Sequence, residues 1–170
     1  MCLKKQKGLS LFEIGILAAV SAAIVAFFLH KVEYYEEQSE KVVVEQTIHI
    51  IRIAVKFKIA LLDIQQKEYD RPSLIKQNPI EWLKQKPQGY RGEFTAAEQP
   101  KINPNEWYFD KDTKEVVYVV NRTKHLEIES RHETYDRLGH TLLRFSLVKD
   151  GQSIAFEPVY LYRWFSNEQD

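Results

Sequence analysis

The chain is 170 residues long, room for one modest domain beside a membrane segment. Its 24 Lys and Arg balance 24 Asp and Glu, which argues against nucleic acid or an acidic polymer as the main partner. The single cysteine, Cys2, stands at the extreme N-terminus, so neither a disulfide framework nor cysteine catalysis is expected in the rest of the chain.

The chain opens with Lys4-Lys5-Gln6-Lys7-Gly8 and then runs from Leu9 to Leu29 with only Ser10, Glu13 and Ser21 as polar side chains. As a helix this run measures ~31 Å, enough for a bilayer core. Lysines precede it, and Lys31, Glu33, Glu36 and Glu37 come after it. That asymmetry predicts a single span with a cytoplasmic N-terminus and an extracytoplasmic head. Glu13 is out of place in such a span. A carboxylate costs on the order of 2.5–3.5 kcal/mol at a helix centre and less near an end. A chain that keeps it is expected to use it. Gly15, Ala18, Ala19, Ser21, Ala22 and Ala23 are small enough to let helices approach closely. A cleaved secretory signal is the first competitor, but no small-x-small site with a turn-forming start comes after the apolar run. An uncleaved signal anchor explains the lysines and the length, and leaves Glu13 and the Gly8 junction unexplained.

The basic leader, Gly8, the adjoining apolar run and Glu13 together resemble the N-terminus of the type IV pilin family, which includes pilins and the pseudopilins of type II secretion. The resemblance covers about the first 25–30 residues. It implies that a prepilin peptidase cuts after Gly8 and methylates Leu9, and that Glu13 is the assembly carboxylate. The amine freed at Leu9 has a pKa of ~8 and is mostly protonated near neutrality. It could pair with Glu13 of a neighbouring subunit, which would set the register between helices. Leu9 stands where the family most often has phenylalanine. No proline lies between Gly8 and Pro72, whereas many major pilins carry one soon after the apolar run. A minor pilin or a pseudopilin is therefore favoured over a major pilin.

From Leu9 to about Tyr69 there is no proline and one glycine, Gly15, which predicts one helix of about 60 residues. Its first part, 9–30, is the transmembrane and assembly segment. Its second, 31–69, is amphipathic and expected to pack on the head. Val43, Thr47, Ile50, Ala54, Phe57, Leu61 and Ile64 recur at helical spacing, and a neighbouring stripe of Val44, Ile48, Ile51, Val55 and Leu62 widens the expected buried face. The packing positions expected along the whole helix are Gly15, Ala18, Ala19, Ala22, Val43, Ile50, Phe57 and Leu61.

Prolines 72, 79, 87, 100 and 104 mark 70–106 as a loop region with one short helix near Pro79–Lys84. Strand-like runs fill 107–170: Trp107–Phe109, Glu115–Val120, His125–Ser130, Thr141–Val148, Ser153–Phe156 and Val159–Phe165. Asp150-Gly151 reads as a hairpin turn, and Pro158 as an edge or bulge. The expected fold is α+β, a long N-terminal helix packed on an antiparallel sheet of four or five strands.

Little in the head names a chemistry. His125, Glu127, Glu129, His132 and Glu133 match no recognised zinc spacing. Asp110 and Asp112 could hold calcium, although no glycine or later bidentate Glu completes a calcium loop, and the competing role is a turn. No metal, cofactor or catalytic group is predicted, and the chain is not expected to be an enzyme. Tyr160, Tyr162, Trp164 and Phe165 would either finish the sheet or form a binding patch. The expected function is that of a structural subunit, a minor pilin or pseudopilin, processed by prepilin peptidase. Its partners would be other pilin or pseudopilin subunits, the inner-membrane assembly platform and membrane lipid, with no nucleic acid. It would reside in the inner membrane with its head in the periplasm and then in a pilus or pseudopilus. The alternative is a signal-anchored membrane protein whose head binds a ligand.

Overall fold

A computed structural model describes residues 10–66, 71–95, 97–98, 101–129, 135–151 and 153–165. The first element is α1 (Leu11–Ile64), a helix of 54 residues. It has no proline, and it ends where Gln66 takes a left-handed backbone (φ 56°) after Gln65 bonds back to Leu61. The chain divides into two compact units between Glu36 and Glu37. Residues 11–36 of α1 belong to the first, and 37–64 to the second. One helix is thus long and apolar enough to cross a membrane, and its apolar window is wholly exposed.

The second unit holds the sheet. Among the described residues, seven strands come after α1 and a one-turn α2 (Arg71–Leu74): β1 (Tyr90–Phe94), β2 (Trp107–Asp110), β3 (Glu115–Val119), β4 (Leu126–Ile128), β5 (Leu142–Asp150), β6 (Ser153–Pro158) and β7 (Tyr162–Trp164). Five form one sheet in the order β1-β2-β3-β5-β6, and β4 pairs with β7 apart from it. The fold is therefore α+β, with a mostly antiparallel sheet. Alternation along the strands sends Trp107, Phe109, Val116, Tyr118, Leu143, Phe145, Leu147 and Phe156 to one face. There they form one core with Val44, Ile48, Ile51, Val55 and Ile59 of α1. Tyr108, Val117, Val119 and Leu142 point the other way and close around Ile102.

The 70–106 stretch is more structured than its prolines suggest. Asn78, buried, accepts from Ile80 N–H at 3.0 Å to start a short 3-10 turn at Pro79–Trp82. Its amide nitrogen donates to Tyr90 Oη at 2.7 Å and to Glu93 Oε1 at 2.8 Å, which ties that turn to β1. Strand β1 was not expected, and it runs parallel to β2. A parallel pair needs a long crossover. Residues 95–106 supply it, and Ile102 on that crossover covers the second face of the sheet. Gly89 makes the entry possible. At φ 77° it brings its backbone so close to Asn105 that an added Cβ would lie 2.6 Å from the Asn105 carbonyl oxygen.

At the end of the chain one expectation holds and another does not. The β5–β6 hairpin turns at Gly151 (φ 59°), as Asp150-Gly151 implies. Strand β7, however, leaves the main sheet after Pro158 and pairs with β4 through Leu126↔Trp164, Glu127↔Arg163 and Ile128↔Tyr162. Tyr162 meets Phe145 edge-on at 5.9 Å, so this small sheet joins the same core. On the outer side of β6, Arg52 Nε donates to the Phe156 carbonyl at 2.9 Å and pairs with Glu157 at 2.8 Å.

The packing face of α1 is narrower than the two stripes together. Val43, Ile50, Phe57 and Leu61 do not face the sheet: Ile50 is 53% exposed and Phe57 65%, while Ile51 is 0%. The buried stripe is the neighbouring one, rotated by one residue or about 100°. Both stripes are apolar, so periodicity alone cannot choose between them. The polar neighbours do. Glu37 and Glu40 share the face of Val44 and reach into the head, and Arg52 flanks Ile51 to meet β6. Ile51→Ala is expected to destabilise the head by about 2–4 kcal/mol, and Phe57→Ala by no more than about 0.5 kcal/mol. Denaturant unfolding of the detergent-solubilised chain checks both, and equal losses would contradict this choice of face.

Candidate functional site

The start of α1 is a reciprocal cap. Ser10 N–H donates to Glu13 Oε2 at 2.7 Å, and Glu13 N–H donates to Ser10 Oγ at 3.2 Å. Two of the unpaired donors of the first turn are satisfied in this way. Glu13 thus has a local role that does not require a partner chain. The signal was present in the sequence, since Ser10-Leu11-Phe12-Glu13 is the Ser-x-x-Glu pattern that precedes capped helices. Gly8 and Leu9 lie outside the described residues. Gly15, Ala18, Ala19 and Ala22 are exposed, and a Cβ added at Gly15 would meet nothing within 4 Å.

Further along, α1 leaves the apolar stripe that carries Ile50 and Phe57 open to solvent. Val42, Val43, Ile50, Ile53, Phe57 and Ile64 are all exposed. This stripe lies beyond the charged stretch Lys31–Lys41, past the segment of membrane length. Val43, Gln46, Thr47 and Ile50 form one wall of a groove of about 370 Å³. The other wall is the extended segment Leu83, Lys84, Gln85, Lys86, Pro87 and Gln88. The groove is mostly apolar with a polar rim, a form suited to an apolar helix or side chain and not to an ionic ligand.

The sequence left a third cluster unmarked, and it is the most polar part of the interior. Glu37 is 2% exposed and Glu40 8%. Glu37 accepts from His125 N–H at 2.8 Å and meets His125 Nδ1 at 2.7 Å. Glu40 hydrogen-bonds Tyr118 Oη at 2.9 Å and accepts from Asn121 N–H at 2.8 Å and Arg122 N–H at 3.1 Å. Two carboxylates one turn apart thus clasp the whole connection from β3 to β4. Burial pushes the Glu40 carboxyl above its ordinary value, the three donors pull it down, and the nearby Glu37 charge raises it; the net shift is upward. Burial, with Glu40 beside it, likewise pushes the Tyr118 hydroxyl up and keeps it neutral. Glutamates on a long charged helix look like solvated residues, and only the tertiary partners distinguish these two.

A hollow of about 190 Å³ opens on the opposite face of the sheet, with Phe94, Tyr108, Asp110, Tyr135, Asp136 and Arg144 in its lining. Most of its charges are already engaged. Arg144 pairs with Glu115 at 2.9 Å, and Asp136 binds the backbone N–H of Leu138 and of His140 and meets the His140 ring at 2.8 Å. Asp110 Oδ1 accepts from Asp112 N–H and Thr113 N–H at 2.9 and 3.2 Å and shapes the turn before β3. Among the described residues, no three His, Cys, Asp or Glu gather where they could hold a metal. His132 and Glu133 lie outside the described residues, and His125 faces Glu37.

Compared with known proteins, the chain matches no family model, no curated protein and no solved structure. The long N-terminal helix leading into a sheet domain is compatible with a pilin-like architecture.

The clasp makes a direct prediction. Glu37→Ala strands the backbone N–H and ring nitrogen of His125 in the interior and is expected to destabilise the head by about 3 kcal/mol. The exposed Glu45→Ala should change it by less than about 0.5 kcal/mol. Thermal unfolding of the two variants side by side provides the check.

Proposed function

We propose that this chain is a type IV pilin-like structural subunit, a minor pilin or a pseudopilin, and not an enzyme. Prepilin peptidase cuts after Gly8 and methylates Leu9. The subunit is held in the inner membrane by α1 with its head in the periplasm. It is then drawn by the inner-membrane assembly platform into a filament of like subunits.

The observation that carries this is the exposed stripe from Val42 to Ile64. The head covers one face of the second half of α1 and leaves another apolar face bare. Lipid does not account for it, because the charged stretch Lys31–Lys41 separates it from the membrane-length run. A free-standing apolar stripe of this kind marks a protein contact. A helix bundle of identical subunits satisfies it together with the small residues Gly15, Ala18, Ala19 and Ala22. Glu13 adds charge to the same helix, and the resemblance of the N-terminus supplies its role.

The rival is a signal-anchored protein whose head binds a ligand in the hollow on the far face of the sheet. The N-terminal mass of the protein from its own membrane, with and without prepilin peptidase, separates the two. A peptidase-dependent start at N-methylated Leu9 is expected. An intact Met1 in both strains would sink the proposal.

Two variants then divide the work along α1. Glu13→Gln keeps the helix cap, because glutamine serves at the same capping position, yet it removes the charge. Filament incorporation should fall at least about tenfold, while helix content is unchanged. Ile50→Asp should leave the unfolding midpoint of the head within about 0.5 kcal/mol of the parent. It should weaken cross-linking between copies by about tenfold or more, since a charge would enter an apolar contact.

A further inference from the structure

Glu40 lies where α1, β3 and the connection to β4 meet. Its hydrogen bonds reveal a deficit of protons. Tyr118 Oη is 2.9 Å from Glu40 Oε1 and 3.1 Å from Asn105 Oδ1. Both contacts join oxygen to oxygen, and the tyrosine hydroxyl owns one proton, enough for one of them. The second proton has to come from one end of this row of oxygens. Glu40 can bring it. Protonated on Oε1, it donates to Tyr118 Oη, which donates to Asn105 Oδ1. Asn121 N–H still approaches Oε1 at 2.8 Å and Arg122 N–H still approaches Oε2 at 3.1 Å.

The surroundings favour the same state. Glu40 is nearly buried, and Glu37, one turn earlier on the same face, is fully buried and engaged with His125. Among the described residues, the titratable or charged groups around Glu40 are Glu37 on α1, Tyr118 on β3, and Arg122 with His125 on the connection; Asn105 brings a neutral amide. Two adjacent carboxylates in a dry site resist carrying two negative charges, and one of them gains by holding a proton.

We propose that Glu40 is a proton-bearing latch: it is neutral while the 120–125 connection is docked on α1, and it releases its proton to solvent when that connection lifts away. Docking the connection therefore takes up one proton. The sign is set by the raised carboxyl value. The stabilisation is full below the ordinary glutamate range and is lost as pH rises through the folded value. The head is held most tightly in mild acid and loosens towards neutral and alkaline pH.

The test uses the full chain in detergent micelles. The Glu40 carboxyl carbon, followed by NMR in the wild-type protein, should titrate well above the ordinary glutamate range. Glu40→Gln, which mimics the neutral acid, should flatten the fall in melting temperature across roughly pH 5–8 and leave the acid end unchanged. The proposal is overturned if Glu40 titrates with the exposed glutamates. That result would mean that it stays charged and that Asn105 turns its amide to donate to Tyr118. It is equally overturned if Glu40→Gln lowers the melting temperature by the same amount at every pH.

Discussion

The head depends on one strip of α1 lying flat on the sheet. Val44, Ile48, Ile51, Val55 and Ile59 supply the helix side of the core, opposite Trp107, Phe109, Tyr118, Phe145 and Phe156. Each such side chain contributes on the order of 1.5–3 kcal/mol when fully buried. Without the helix, that face of the sheet would be bare aromatic surface. The helix residues of the strip are separated by steps of three or four, and all are β-branched. They present a stiff, even surface to a twisted sheet.

A face chosen this way has to be enforced, because α1 carries two apolar stripes. Polar contacts at its margins do this. Glu37 and Glu40 hold the β3–β4 connection at one end of the strip, and Arg52 reaches the last strand of the main sheet near its middle. A rotation of α1 by one residue would break all of these and bury charges without partners. Buried carboxylates add little net stability over an apolar filling. What they add here is discrimination between two otherwise acceptable packings. The rejected stripe is then free for contacts between molecules.

Much of this was legible in the sequence. The proline-free run up to the start of the head fixes α1, and the Val- and Tyr-rich alternation marks β3 as clearly as Asp150-Gly151 marks the hairpin. Three things were hidden, each for a physical reason. Which stripe is buried depends on what Glu37, Glu40 and Arg52 touch, and those partners are 78 or more positions away in the chain. Strand β1 sits in a proline-rich stretch and owes its existence to a parallel partner and to Asn78, so local propensity understates it. The departure of β7 to join β4 is a tertiary choice between two possible edges. The Ser10–Glu13 cap was different. It was readable from four adjacent residues, and the carboxylate expected to act in assembly caps the helix start.

The outer edge of β6 has a further consequence for how these molecules can behave when crowded together. An incoming strand would need the outward-facing main-chain groups of β6. Arg52 already occupies the carbonyl of Phe156, and Pro158 has no N–H to offer. With those two positions spent and a charged pair standing over them, the sheet offers a poor template for end-to-end zippering of heads. Disordered aggregation through that margin is thereby discouraged wherever heads are crowded together.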